Sequence, residues 1–310
     1  MKSNASLVLS IVGLSVGLVA AAAVASTGAS LNTGSSAAIE AAMPEQLVLT
    51  GTIRDFREMS VAGGHPDFEN RPASGFGHYM GNIAPRLDAD KKPVFQGGGS
   101  KVLRQWKDAR GASIHPSLVD AAKGDVAGER ASVLDPGGIT SAESFAQWYR
   151  STAGVNTCTP ISITLSRQPG SKLYVFDDRA DPYYVARGGF FPVNNELFGN
   201  SAGEVKNFHF TFELATEFVY EPGTGQQFTF IGDDDVWVFI NDLLVIDLGG
   251  VHGAISQTVE LDRLKNLVAN GRNELRVFHA ERHRTQSNFR IETTINLKNC
   301  VKPSSSKLHD

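Results

Sequence analysis

The clearest chemical signal in the sequence is a run of three adjacent carboxylates. Asp233, Asp234 and Asp235 follow Gly232 and directly precede the apolar run at 236–240. Neighbouring carboxylates beside a core repel one another and lose hydration, and a divalent cation relieves both costs. Carboxylate oxygens suit Ca²⁺, a hard ion that accepts several oxygen ligands in flexible geometry. The segment therefore predicts a calcium site, against the alternative of an exposed turn whose Asp residues only cap the strand.

Two further polar loops supply candidate ligands. The Gly-rich segment IDLGGVHG at 246–253 contains Asp247 and His252. The segment AERHRTQSN at 280–288 connects two apolar stretches and ends in Asn288, whose side chain offers a neutral oxygen ligand. Binding loops are built at the ends of sandwich strands, so both segments are candidates for the same site.

The second of these loops also carries cationic side chains. We expect Arg282 or Arg284 to hold a sugar hydroxyl or an acidic group, with an ordinary surface ion pair as the alternative for each.

A different metal chemistry is offered by His279, Glu281 and His283, which alternate along one segment. Imidazole and carboxylate ligands suit a transition metal, as in a metal-dependent hydrolase or oxygenase. The neighbouring arginines argue against a closed cation cage. Neither a G-x-S-x-G elbow nor a Cys-His arrangement, phosphate loop or dinucleotide fingerprint stands out, so the chain is not predicted to be an enzyme.

These loops must be positioned by β-strands. Alternating apolar and polar residues predict strands at 47–56, 161–165, 208–214, 226–231, 275–280 and 289–297. Residues 236–240 are apolar on both faces, as in a doubly buried strand, and Asn241-Asp242 is a turn that returns the chain along 243–246. Residues 57–139 show a weak pattern and are expected to form short helices and long loops packed on the core, followed by a short helix within 141–150. Many short strands point to a sandwich or barrel.

The ends of the chain indicate export. Residues 1–25 read as a signal peptide with a small-x-small cleavage pattern, or as an uncleaved membrane anchor, and residues 26–46 read as a flexible linker. One domain at 47–300 and a disordered tail at 301–310 follow. In an oxidising compartment, Cys158 and Cys300 are expected to form one disulfide, against the alternative of two unrelated thiols.

The net charge of −4 and the pI of about 6.1 give no basic footprint for nucleic acid. No nucleic-acid partner is expected, and a membrane is expected only through an uncleaved N-terminus.

Several of these segments carry a family resemblance. The sequences GDDDVWVFIND at 232–242, IDLGGVHG at 246–253 and FHAERHRTQSNFRIETTI at 278–295 resemble the signature of the fibro-slime domain, and the resemblance extends upstream to LTGTIRDF, HPDFEN, FAQWYRSTAGVN and NFHFTFEL. Fibro-slime domains are more distantly similar to the protective-antigen type of lectin domain. The resemblance implies an all-β fold, an antiparallel β-sandwich of the protective-antigen type with long loop and short-helix insertions.

The resemblance also implies a site. In the lectin members, two consecutive Asp residues joined by a cis peptide hold Ca²⁺, and the ion coordinates sugar hydroxyls directly. Alignment places this pair on Asp233 and Asp234, while Asp235 falls where many members carry Gly. A neighbouring loop supplies further ligands in the lectins, and Asn288, Asp247 or His252 is expected to serve here.

The predicted function is therefore that of a secreted or cell-surface, calcium-dependent carbohydrate-binding protein acting in adhesion or matrix attachment. Its partner would be a carbohydrate or glycoconjugate on a cell surface or matrix. The predicted metal set is Asp233, Asp234, Asp235 and Asn288, and the predicted ligand-binding set is Asp247, His252, Glu281, Arg282 and His283. The alternative is a structural or protein-interaction module that calcium stabilises without glycan binding. Trp237 is expected in the core rather than under a sugar.

Overall fold

The structure, a computed structural model, describes residues 43–298. The expected signal peptide, most of the linker, Cys300 and the tail lie outside the described residues. The strands are β1 Gln46–Phe56, β2 Tyr79–Met80, β3 Ser100–Arg104, β4 Glu129–Leu134, β5 Asn156–Arg167, β6 Tyr174–Asp177, β7 Phe210–Val219, β8 Gln227–Gly232, β9 Asp235–Ile240, β10 Leu243–Leu248, β11 Ile255–Glu260, β12 Arg272–Glu281, β13 Phe289–Thr293 and β14 Leu297–Lys298. Two short helices, α1 Ala142–Phe145 and α2 Pro182–Val185, and 3₁₀ turns at Pro116–Leu118, Ala121–Lys123 and Leu261–Arg263 complete the set.

The main sheet runs in the order β10-β9-β12-β7-β1-β5-β6-β13-β8-β11, with β14 added on β7. Its strands pair antiparallel throughout. The two ends of this order, β10 and β11, contact each other, so the sheet folds over its own core. The fold class predicted from the sequence, an antiparallel all-β sandwich with short-helix insertions, is confirmed.

The central strand β1 shows why the pattern folds this way. Leu47, Leu49 and Ile53 alternate inward and are buried, because successive strand residues point to opposite faces. β1 pairs with β5 on one side and with β7 on the other. At Gly51 the ring of Phe212 and a backbone carbonyl of β7 come so close that a Cβ would lie 2.3 Å from Phe212 Cε2. Only glycine fits that position without a shift of its neighbours.

Aromatic and aliphatic side chains fill two buried clusters. The larger lies inside the folded sheet and includes Phe212, Phe230 and Phe289. The smaller packs Trp148, which follows α1, against Trp237 of β9, with ring centroids 6.1 Å apart. Trp237 is therefore a core residue, as predicted.

The region at 57–139 differs in part from expectation. It contains long loops and 3₁₀ turns, but also a small sheet in the order β2-β3-β4 that the sequence did not predict. This insertion supplies Ile83 and Ile139 to the smaller cluster. It also covers both end strands of the main sheet: Leu244 N of β10 donates to Pro85 O at 3.0 Å, and Thr258 N of β11 donates to Ser113 O at 2.8 Å.

The predicted hairpin of β9 and β10 is present. Asn241 and Asp242 both have positive φ, 47° and 65°, which matches the twist that a two-residue turn needs between these strands. The helix predicted after 141 is confirmed as α1, with Ser141 as its N-cap in a capping box with Ser144. Among residues 43–298, no helix has the length and apolarity needed to cross a membrane.

Candidate functional site

Asp233 and Asp234 lie in the short connection between β8 and β9, and the peptide bond between them is cis, as the resemblance implies. Both line a cavity of about 190 Å³, hereafter the acidic cavity. The loop that follows β12 forms much of its opposite wall. The complete lining is Phe76, Asp233, Asp234, Val251, His252, Gly253, His283, Arg284, Thr285 and Gln286.

Asp233 is fixed by Asn288, which immediately precedes β13. Asn288 N donates to Asp233 Oδ1 and Asn288 Nδ2 donates to Asp233 Oδ2, each at 2.6 Å. The carbonyl of Asp233 accepts from His279 Nε2 at 2.8 Å. Burial nevertheless raises the pKa of the Asp233 carboxyl, because desolvation outweighs these hydrogen bonds. Asp233 is thus a preoriented carboxylate that its environment disfavours as a bare anion.

Asp234 is buried beside a second buried acid, Glu281 at the end of β12. Burial, and then the charges of Asp233 and Asp234, raise the pKa of Glu281 well above its ordinary value, and burial likewise raises the pKa of Asp234. Neither Glu281 oxygen receives a hydrogen bond within 3.5 Å from the described residues. The nearby Ser287 hydroxyl lowers the pKa of Glu281 less than burial raises it, and it donates to Phe190 O.

Asp235 has its own partner. Its Oδ2 accepts from Arg282 Nε at 2.5 Å and its Oδ1 from Gly250 N at 2.5 Å. Arg282 is fully buried, donates through Nη2 to Gly137 O, and lies 5.5 Å from the Trp148 ring centroid. This differs from the expectation that Arg282 contacts a ligand: strand β12 directs its guanidinium to Asp235, inside the protein. Asp235 likewise serves this pair and does not line the acidic cavity.

The charges around the acidic cavity are therefore unbalanced. Four acids, Asp233, Asp234, Asp235 and Glu281, are buried together, and Arg282 is the buried cation that pairs with one of them. The Glu281 oxygens that lack a hydrogen bond within residues 43–298, and the raised pKa values of Asp233, Asp234 and Glu281, mark a place that favours a cation. The donor set is all oxygen, so it fits Ca²⁺ better than a softer metal.

Of the five predicted ligand-binding residues, two line the acidic cavity, and Asp247, Glu281 and Arg282 do not. His252 and His283 lie in its wall, with His283 Nε2 3.3 Å from Glu69 Oε2. Asp247 is elsewhere, because the pairing of β10 with β9 aims its carboxylate at Trp237 Nε1 (3.0 Å) and Gly81 N (2.9 Å).

Asn288 is adjacent to Asp233, but its side-chain oxygen Oδ1 faces away from the Asp233 carboxylate. Oδ1 accepts from Arg179 Nη2 at 2.6 Å and Nε at 3.2 Å, while the amide nitrogen faces Asp233. In this orientation Asn288 positions Asp233, and its side-chain oxygen is not available as a neutral ligand for a metal ion at Asp233.

The alternative transition-metal set is not gathered around one point. His279 bonds to Asp233 O, while His283 faces Glu69. Within residues 43–298, the group of acid and His side chains whose ligand atoms lie within 4.8 Å of one another is Glu58, Glu69 and His209. Arg284 already forms ion pairs with Glu58 and Glu69 there, so a guanidinium supplies the positive charge.

Sequence reasoning missed two neighbours of the site. Asp178, after β6, is buried with one carboxylate oxygen unpartnered among the described residues, and burial raises its pKa to about 6. Phe76, in the insertion, lines the acidic cavity while 45% exposed. The acidic run Asp177-Asp178 after a short apolar stretch was a signal for the first; nothing in the local pattern signalled the second.

The expected disulfide is not tested, because Cys300 lies outside the described residues. Cys158 is exposed on β5, opposite Arg54 of β1.

Comparison with known proteins supports the fold. Residues 192–308 match the family model described as PA14 domain. This match supports a β-sandwich of the PA14, or protective-antigen, type, and the finer fibro-slime name stays a prediction.

The curated relatives include several Dictyostelium discoideum proteins. Protein psiD is 31% identical over 260 residues, which cover 82% of this chain and 42% of psiD. Protein psiQ is 36% identical over 171 residues, which cover 51% of this chain and 16% of psiQ. The chain thus spans less than half the length of these relatives.

Solved structures show only a weak likeness. The PA14 domain of the MpAFP antifreeze protein aligns with a TM-score of 0.22 and 10% identity, over 29% of this chain and 53% of that one. A β-glucosidase from Kluyveromyces marxianus, solved in complex with glucose, aligns with a TM-score of 0.21 and 13% identity, over 31% of this chain and 11% of that one. Scores this low have no bearing on the function of this chain.

Proposed function

We propose that this protein is an exported, calcium-dependent carbohydrate-binding protein that acts in adhesion or matrix attachment. The observation that carries the proposal is the pair Asp233 and Asp234, two buried carboxylates that line one cavity beside the unpartnered carboxylate of Glu281. PA14 domains are often carbohydrate-binding or adhesion modules, which supports the same reading.

Asp233 and Asp234 would hold the ion. Asn288 keeps the Asp233 carboxylate in place through two short hydrogen bonds, so little side-chain entropy is lost on binding. Glu281 lies behind them and adds negative charge that favours a cation. When bound, Ca²⁺ supplies open coordination positions for vicinal sugar hydroxyls.

The wall of the acidic cavity would contact the sugar. His252, Thr285 and Gln286 carry side-chain hydrogen-bonding groups, and the exposed ring of Phe76 adds an apolar surface. A small cavity of mixed polarity suits one or two sugar units rather than a long chain.

The first test is thermal unfolding of the protein with Ca²⁺ and with a chelator. Calcium at about 100 times its Kd should stabilise the folded state by about 2.7 kcal/mol, because it binds only that state. The Asp233→Asn, Asp234→Asn double variant should lose this calcium-dependent rise in Tm. Asp247→Asn is the matched control: it changes a buried carboxylate that does not line the acidic cavity, so the rise should persist.

A glycan-array screen in calcium and in chelator then tests the carbohydrate part. Calcium-dependent glycan binding that the double variant lacks supports the proposal. A calcium-dependent Tm without glycan binding favours the calcium-stabilised structural module instead. A Tm that calcium leaves unchanged removes the metal from both readings.

A further inference from the structure

A second cavity, of about 370 Å³, lies between the insertion and β10, and is hereafter the insertion cavity. Its volume falls in the range of small-molecule sites. It shares no lining residue with the acidic cavity. Its lining is Met80, Gly81, Ile83, Pro85, Gln96, Trp106, His115, Pro116, Ser117, Arg130, Leu244 and Asp247. All but Leu244 and Asp247 lie outside the segment that matches the PA14 domain.

The walls are largely apolar. Ile83 and Leu244 are buried side chains of the smaller core cluster, and Met80 is buried beside them. Trp106 is half-buried, and a Cβ on Gly128 would lie 2.5 Å from its Cδ2, so the backbone at 128 packs directly on the indole. An aromatic wall held by backbone on an apolar floor favours an occupant with an apolar body.

Two hydrogen-bond donors of the lining have no partner within residues 43–298, and the Arg130 guanidinium has a single one. Trp106 Nε1 has none, and His115 bonds only through Nδ1, which accepts from Ser117 N. Its proton therefore sits on Nε2, and burial lowers the pKa of His115 to about 4, which keeps the ring neutral. The Arg130 guanidinium bonds through Nη1 to Met80 O at 3.0 Å and has no ion pair in the described part of the chain.

No carboxylate among residues 43–298 pairs with these donors. Asp247 is the acid of the lining, and both its oxygens already accept hydrogen bonds from Trp237 Nε1 and Gly81 N. Arg130 lies exposed at the rim, where an anion from solvent reaches it without crossing the apolar floor. Unpaired guanidinium beside an apolar cavity is the arrangement that recognises a carboxylate with an apolar substituent.

We propose that the insertion cavity binds a small carboxylic acid with an aromatic or aliphatic body, its carboxylate at Arg130 and its body against Trp106. This site is separate from the calcium-dependent one and needs no metal.

Phenylacetate is the probe, and phenylacetamide is its neutral analogue of nearly the same shape. Calorimetric titration of the whole chain should show phenylacetate binding about tenfold more tightly than phenylacetamide, since a charge-assisted bond to guanidinium is lost in the amide. Trp106 is the half-buried one of the three tryptophans, since Trp148 and Trp237 are buried, so its fluorescence should change on titration. A chelator should leave both signals unchanged.

Arg130→Gln should weaken phenylacetate binding about tenfold and leave phenylacetamide unaffected. Arg104→Gln is the matched control, because Arg104 is exposed on β3 of the same small sheet and does not line the cavity. Equal affinity for acid and amide, an Arg130→Gln variant that binds like Arg104→Gln, or no saturable signal with phenylacetate would each overturn the proposal.

Discussion

Arg282 shows how a buried side chain can organise the acidic cavity although it does not line it. Its guanidinium is removed from water and bonded to Asp235 and to Gly137 O. Desolvating such a pair costs much of what the attraction returns, so the pair is a weak source of net stability. Removing one partner of the pair is strongly destabilising, because the remaining charge then stays buried without a partner.

Arg282→Met should therefore lower the free energy of unfolding by about 3–5 kcal/mol, since it leaves Asp235 unpaired among other buried acids. Chemical denaturation measures this. Arg290→Gln, which breaks a partly exposed ion pair with Asp177, should cost at most about 1 kcal/mol. Equal losses in the two variants would show that burial of the Arg282 pair has no special weight.

His78 makes stability depend on pH. Burial lowers its pKa from 6.5 to about 3, and it bonds as a neutral ring to Asp247 O and to Gln105 Nε2. The unfolded chain binds this proton below pH 6.5 and the folded chain does not. The stabilising contribution of neutral His78 to the free energy of unfolding is therefore fully present above pH 6.5, and it is lost as the pH falls toward 3.

His78→Gln keeps a donor for Asp247 O but cannot titrate. Relative to wild type, the variant should gain about 1.4 kcal/mol per pH unit as the pH falls from about 6 to 4. Unfolding by denaturant at several pH values measures the difference between the two proteins. A difference that stays constant across this range would contradict the assignment.

At this scale the sequence predicted side-chain chemistry better than side-chain direction. The repulsion among the three adjacent carboxylates at 233–235 could be predicted from the sequence, because adjacency alone creates it. The direction of Asp247 depends on its contact with Gly81 of the insertion, and that of Arg282 on its contact with Asp235 of β9. Both partners are distant in sequence.

Among the elements, β1 is tightly constrained, since it is paired on both edges and approaches β7 closely at Gly51. Gly51→Ala should lower the free energy of unfolding by about 1–3 kcal/mol, because its Cβ would lie 2.4 Å from Glu213 O and still nearer the Phe212 ring. Gly253→Ala is the control, as nothing lies within 4 Å of a Cβ there. Thermal unfolding of both variants checks the prediction, and an unchanged Tm for Gly51→Ala would contradict it.

Most of the predicted strands show clear alternation over a half-buried face, such as β1 and β13, and β9 was predicted from its continuous apolar run. β4 lies almost wholly in solvent, so its sequence has no alternation to read, and β6 has four residues. β11 follows a Gly-rich loop and carries little apolar character. Strands held by long-range pairing rather than by pattern are the ones that the sequence leaves out.

The whole molecule interleaves early and late segments. β1, β5 and β6 lie between β7 and β13 in the sheet, although the PA14 match begins at residue 192. A fragment of residues 192–308 therefore lacks the strands that separate β7 from β13, and would expose the main core.

We expect that fragment to show neither a cooperative unfolding transition nor dispersed amide resonances, whereas residues 43–298 show both. Circular dichroism melting and two-dimensional NMR distinguish the cases. A cooperatively folded 192–308 fragment would mean that the late strands re-pair without the early ones.

The contacts of the insertion with β10 and β11 have a consequence for self-association. An uncovered edge strand presents free amides and carbonyls that a second chain can extend, which is a common route to fibrous aggregates. Here Pro85 and Ser113 occupy backbone positions on both terminal strands of the sheet. The insertion thus blocks the edge-to-edge pairing of strands between two chains that would lead to polymerisation.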